Sequence, residues 1–422
     1  MDSRPDPAPD AAPPESVLST YTPPPPDRDR IWLHIGLFFA TFGCMLFVAG
    51  GLVLNGQDVA PSLIGRHGVY ETVGWMARLH DALMYAVPFL LFLTVHEFGH
   101  YLAARWHGVR VSLPYYIPLP FALGTFGAVI RIRERIRTTT QLFDIGAAGP
   151  LAGFVVALGA LLVAVFTLPP VEYILGTDPI GSNFHAPIVA QYQIEGEFPR
   201  VSLMISMLRE VGGQALIFGD TPLFAALASL GDYRVPGYEI THYPLLLAGW
   251  LGLFFTALNL LPVGQLDGGH VVYALFGPTV HRIVARIATL LLILSGSVGW
   301  MTEMVLGYAW DPIVEAALLA GLAVLLLIYL RQFFGGDWRY ALAGVPVLLA
   351  LVAAVVFLAP GLAAVTGYWG WLLWSGLILF LIRMDHPPVL VNEPLTPGRI
   401  ALGWACVVIF LLCFSIQPIV VV

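Results

Sequence analysis

No lysine occurs in the 422 residues; all 20 basic side chains are arginine. Charge of either sign is scarce, at 11% of the chain, while 58% is hydrophobic and the mean hydropathy is +0.80. This balance excludes a soluble domain, offers no basic surface to a nucleic acid, and predicts a chain built for a bilayer. The missing lysine has no physical account. A net charge of -7 decides little, because in a membrane protein the distribution of charge matters more. Cysteine is also scarce: Cys44, Cys406 and Cys413 all lie in apolar runs. That suggests neither a disulfide framework nor a thiolate metal site. No short basic region with a small-residue cleavage site precedes the first apolar run, so 31–54 reads as a retained helix and not a cleaved signal peptide.

What is present is a series of long apolar runs. Residues 1–30 are polar and proline-rich, with four consecutive prolines from Pro23 to Pro26, and read as a disordered tail. Candidate spans follow at about 31–54, 82–106, 141–168, 244–264, 283–310, 312–331, 340–359, 361–383 and 400–421, nine in all. Alternating them from a cytoplasmic N-terminus puts fifteen of the 20 arginines on inside segments, among them Arg131, Arg133, Arg135 and Arg137. That asymmetry supports the orientation. The chain is expected to be an all-α polytopic membrane protein, in a prokaryotic inner (plasma) membrane, with its N-terminus in the cytoplasm.

The second run contains Thr94-Val95-His96-Glu97-Phe98-Gly99-His100. On a helix His96 and His100 lie one turn apart on the same face. Two imidazoles at that spacing can hold a zinc ion, and Glu97 can reach a water beside it as general base. About 0.01 accidental matches are expected in a chain with 11 His. Three ionisable groups inside a spanning segment are costly and are kept for a partner or a reaction. The extended soluble-protease pattern is excluded, since it needs Gly at 103 and His at 106 where Ala103 and Trp106 stand.

The fourth span ends in Asn259-Leu260-Leu261-Pro262-Val263-Gly264-Gln265-Leu266-Asp267-Gly268-Gly269-His270. Pro262 and Gly264 should unwind the helix, which membrane proteins tolerate only where the freed backbone is buried or lines a wet cavity. Asp267 then arrives level with the two histidines, where a lone carboxylate is expensive and a cation-bound one is not. It is the preferred third ligand. His270 is its rival, nearer the interface and open to simple solvation.

Between the second and third spans, 109–136 is broken by Pro114, Pro118 and Pro120 and reads as a hairpin. Gly127, Ala128, Val129 and Ile130 form part of a strand whose edge could receive an extended peptide. An interfacial loop whose arginines bind lipid phosphate is the competing reading. Gly149 and Gly153 open the third span as a small-xxx-small pair, which helix packing alone explains. The outside stretch 169–242 has amphipathic segments at 201–208 and 223–230 and no clear strand pattern.

Taken in order, His96-Glu97-Phe98-Gly99-His100, Gly127 to Ile130, Gly149-Pro150-Leu151-Ala152-Gly153, Asn259-Leu260-Leu261-Pro262 and Leu266-Asp267-Gly268 resemble the site-2 protease family of intramembrane zinc metalloproteases. The resemblance covers about 82–168 and 243–277. It implies a three-helix catalytic core, within 82–277, with one zinc per chain held by His96, His100 and Asp267. Glu97 would be the acid/base, and Asn259 would help to position the substrate backbone. The implied reaction is hydrolysis of a peptide bond in or beside a transmembrane segment of a single-pass membrane protein. No PDZ insert of the kind some bacterial members carry is present. The first span and the helices in 283–422 lie outside the shared motifs. Two other classes stand beside this one. An ion-coupled transporter could use intramembrane His, Glu and Asp, but no internal repeat supports it. An inactive scaffold would not need Glu97 and both histidines together.

Overall fold

The computed structural model describes residues 29–52, 75–169, 171, 186–201, 203–206, 216–307 and 310–421; the proline-rich tail lies outside them, apart from Asp29 and Arg30. Helices dominate because long runs of Leu, Val, Ala and Phe have nowhere but their own backbone to satisfy N–H and C=O groups in a bilayer. They are α1 (Ile31–Leu52), α2 (Trp75–Trp106), α3 (Thr139–Phe166), α4 (Ala186–Glu195), α5 (Pro222–Ala228), α6 (Pro244–Asn259), α7 (Asp267–Gly299), α8 (Pro312–Phe333), α9 (Trp338–Leu358), α10 (Pro360–Thr366), α11 (Gly370–Leu377) and α12 (Pro397–Cys413).

Among the described residues, six helices are long and apolar enough to cross a membrane. A seventh crossing results if α10 and the helix at Gly370–Ile382, bent by 54° to each other, count as one. The nine expected runs therefore differ in form from nine long helices. α6 stops at 16 residues, short of the expected 264, because Leu260 caps it and Pro262 cannot continue it. The run expected at 283–310 begins earlier, at Asp267, and is interrupted only at Gly277 (φ 81°, ψ 173°) before Pro278.

The last run, expected to 421, leaves the helix after Cys413. Pro418 and the β-branched Ile419, Val420 and Val421 turn it into a strand, β4 (Ile419–Val421). β4 pairs antiparallel with β3 (Leu216–Phe218), which the outside stretch was not expected to contain. In the same stretch the amphipathic segment at 223–230 forms α5, capped by the Thr221 side chain. The segment at 201–208 is helical at 201 and 203–206, its other residues lying outside the described set.

α6 is apolar all round and is accordingly the buried centre of the molecule. Leu247, Trp250, Leu251 and Leu253 have no exposure, and α2 and α3 enclose it. Close approach depends on small residues, with Gly249 set against Leu161 and Gly252 against Ala157.

β1 (Tyr115–Pro118) and β2 (Thr125–Val129) pair antiparallel, with Tyr115 opposite Val129 and Tyr116 opposite Ala128. The pair runs back along α2. The Tyr116 hydroxyl donates to Thr94 at 2.9 Å, and the Tyr85 hydroxyl donates to the Leu123 carbonyl, beside the turn, at 2.8 Å. α1 closes the other side through His34, whose Nδ1 lies 3.0 Å from the Pro114 carbonyl. Gly124 (φ 80°) presses onto the Met45 backbone, where a side chain would not fit.

Candidate metal centre

The loop between α6 and α7 brings a carboxylate to the α2 histidines. Pro262 ends α6, and Gly264 (φ 56°) turns the chain where only a residue without Cβ is unstrained and where the Arg383 carbonyl lies in contact. Gly268 and Gly269 then let the first turn of α7 lie directly on the carbonyls of Leu260, Val263 and Gly264. Asp267 is the first residue of α7, where the helix dipole favours a negative charge.

His96 and His100 lie one turn apart on α2, as the spacing predicts, and both are buried. His100 Nδ1 donates to the Ile145 carbonyl at 2.7 Å, which leaves its Nε2 as a lone pair. That Nε2 is 3.0 Å from His96 Nε2 and 3.3 Å from Asp267 Oδ2, while His96 Nε2 is 3.4 Å from the same oxygen. Three donor atoms thus face one point, all within 4.8 Å of one another. With bonds of about 2.0–2.1 Å, a tetrahedral ion separates its ligands by roughly 3.3 Å. The residues fit such an ion, and a cation is what reconciles converging lone pairs in an apolar surround.

The remaining expected residues are distributed around this point. Glu97 is 7% exposed, and the backbone N–H of Ile130, one residue beyond β2, is directed at its carboxylate. Asn259 Nδ2 is 3.4 Å from His96 Nε2. Gly127, Ala128 and Val129 lie on β2; Ala128 packs inward, and Phe126 and Val129 are exposed. His270 is not part of the converging group; its Nδ1 bonds His386 Nε2 at 2.8 Å.

Two features escaped the sequence. The glycines opening α3 serve the rings as well as helix packing. A Cβ at Gly149 would lie inside the His100 imidazole, one at Gly153 would come within 3.2 Å of His96, and one at Gly146 within 2.6 Å of His270. The Ile145 carbonyl is a backbone group, which no residue type announces; only its place beside the glycines could have pointed to it.

This histidine, glutamate and aspartate constellation falls inside residues 84–298, which match the family model of peptidase family M50. The chain belongs to that family. It is similar to the "Probable zinc metalloprotease EGY2, chloroplastic" of Oryza sativa subsp. indica, 34% identical over 220 residues, which is 52% of this chain and 33% of that one. It is also similar to the EGY2 protein of Arabidopsis thaliana (31% over 214 residues, 50% of this chain and 32% of that one). The "Probable zinc metalloprotease EGY1, chloroplastic" of the same plant is 33% identical over 196 residues, 46% of this chain and 30% of that one. The matches span about a third of these relatives' own length. No solved structure matches. The M50 assignment agrees with the motif resemblance, and the relatives the chain matches are named zinc metalloproteases. The relatives are plant proteins named chloroplastic, so they give no support to the expected prokaryotic inner membrane.

The ring clearance in this M50 core generates a test. Gly149→Ala should displace His100 and weaken zinc binding about tenfold or more, as loss of ligand orientation does. Gly159→Ala, ten residues on and with nothing within 4 Å, should leave zinc content unchanged in the same metal assay.

Proposed function

We propose that this chain is an intramembrane zinc metalloprotease that hydrolyses a peptide bond in or beside a transmembrane segment of a single-pass membrane protein. The observation that carries this is the convergence of His96, His100 and Asp267 on one point, with Glu97 beside it, inside membrane-length helices. Family membership and the zinc metalloprotease names of the relatives support it. The catalytic unit would be 82–277. Nine passages are reached if the short α6 and α12 join the long helices and the bent pair, and the arginine distribution supports an N-terminus on the cytoplasmic side.

His96, His100 and Asp267 would hold the zinc. Bound there, zinc would supply Lewis-acid chemistry, polarising the scissile carbonyl and bringing the pKa of water towards about 7. Glu97 takes the proton from the attacking water and returns it to the leaving amide nitrogen, so that one water is consumed and one carboxylate and one amine are formed. Asn259, beside His96, would donate to the substrate backbone.

The substrate must first unwind, because a transmembrane helix hides its carbonyls in internal hydrogen bonds. The free edge of β2 can replace those bonds. Arg133 N–H donates to the Arg110 carbonyl and the Arg131 carbonyl accepts from Ser112, so these residues face the β1 side. Alternation puts the N–H groups of Ala128 and Ile130 on the other edge, in keeping with the direction of Ile130 towards Glu97.

Three outcomes are expected. Glu97→Gln should keep zinc and lose about 10²–10⁴-fold in cleavage of a transmembrane peptide; full activity would overturn the mechanism. Asp267→Ala should lose zinc, whereas His270→Ala should still fill with zinc at saturation; the reverse pattern in a metal assay would make His270 the ligand. Ala128→Pro removes an edge N–H and should slow cleavage by roughly tenfold with zinc retained. Parental rates in that variant would leave the arginines of the hairpin as lipid anchors.

A further inference from the structure

The segment 383–396 joins the helix ending at Ile382 to α12 and contacts the start of α3 and the first part of α7. Its backbone is sewn to the start of α3. The N–H groups of Leu390 and Val391 both donate to the Arg137 carbonyl, at 3.0 and 2.9 Å, and Thr139 N–H donates back to Val391 at 3.2 Å. It is also attached to α7: Asp385 pairs with Arg282 at 3.5 Å, and His386 meets His270. One short stretch therefore ties α3, which orients His100 through Ile145, to the turn that carries Asp267.

The His386–His270 contact is specific in its proton arrangement. His386 Nδ1 donates to the Pro387 carbonyl at 2.6 Å, so its Nε2 is a lone pair and accepts from His270 Nδ1–H. Burial pushes the His386 pKa down to about 4, which keeps it neutral and able to accept at neutral pH. His270 is held from the opposite side by Gly146, which lies against its Cβ. The residue three places after Asp267 is thus wedged between α3 and the 383–396 segment.

We infer that the 383–396 segment is a clasp that holds the Asp267 turn against the histidine pair, with His386 as a positioning residue for the metal centre acting through His270. The inference rests on the zinc reading above. It gives the C-terminal helices a part in the site, because the clasp is anchored between two of them. Hydrogen-bonding partners behind metal ligands change affinity by about 10–100-fold. His386 stands behind the ligand's helical turn and not behind the ligand itself, so the lower end of that range is expected.

The test measures zinc release from the purified full chain to a chromogenic chelator, together with KM and kcat for a transmembrane peptide. His386→Ala should release zinc about tenfold faster, with KM unchanged. His386→Gln, which restores an acceptor, should recover most of the parental rate. Val391→Pro deletes one clasp N–H at a side chain that is 50% exposed, so it tests the clasp without disturbing a packed site. It should speed release in the same direction, with helicity retained in circular dichroism. A zinc-loaded parent whose His386→Ala and Val391→Pro variants release zinc at the parental rate overturns the clasp alone. Variants that keep zinc and cleave faster also overturn it, in favour of a lid. A parent that holds no zinc overturns the zinc reading and the clasp with it.

Discussion

Two imidazole nitrogens and a carboxylate oxygen held 3.0 to 3.4 Å apart, in the interior of a membrane protein, are the constraint on which the rest depends. Without a cation their lone pairs repel and their lost hydration goes uncompensated. Much of the surrounding structure serves to hold them there. The glycines of α3 clear space for the rings, the Ile145 carbonyl fixes the tautomer of His100, and the paired glycines after Asp267 let a helix begin directly on its own preceding loop. Each of these devices works by the absence of a side chain or by a backbone group, so the centre can be tight while its chemistry stays with a handful of residues.

The same economy governs the hairpin. β1 and β2 bring polar backbone alongside the α2 turn that precedes His96, which a bilayer tolerates only where protein or water answers it. α1 and α2 cover one side through His34, Tyr85 and Tyr116, and the turn is pressed onto Met45. One residue beyond β2, the Ile130 backbone neighbours the Glu97 carboxylate.

How much of this was legible in the sequence follows from how far each signal reaches. His96, Glu97 and His100 were readable because helical spacing alone sets their geometry. Asp267 was readable because a carboxylate at that depth needs a cation, and the structure brings it, and not His270, to the histidines. Gly149 and Gly153 were read as packing residues; their relation to the rings depends on where α3 lies against α2, which no local pattern carries. The boundary of α6 was overestimated because hydropathy does not stop at Pro262. β4 was concealed for a similar reason, since Ile419, Val420 and Val421 are as apolar as a helix end. The contacts of 383–396 with Arg137 are made by backbone groups more than 200 residues apart in the chain, so they left no trace in residue type.

The pairing of β3 with β4 has a consequence for biogenesis. β3 is synthesised before α6 and β4 only after α12, so every intervening helix must be in place before this ladder can close. Until then the strand at Leu216–Phe218 lacks its ladder partner and has an unpaired edge. Closure of that ladder therefore records that α12 has brought Ile419–Val421 to the side of the molecule where β3 lies. A misplaced intervening helix would leave β4 away from β3 and the ladder open. Such a chain would expose an unpaired strand edge to quality-control proteases, so the pairing serves as a checkpoint on the placement of the helices between the two strands.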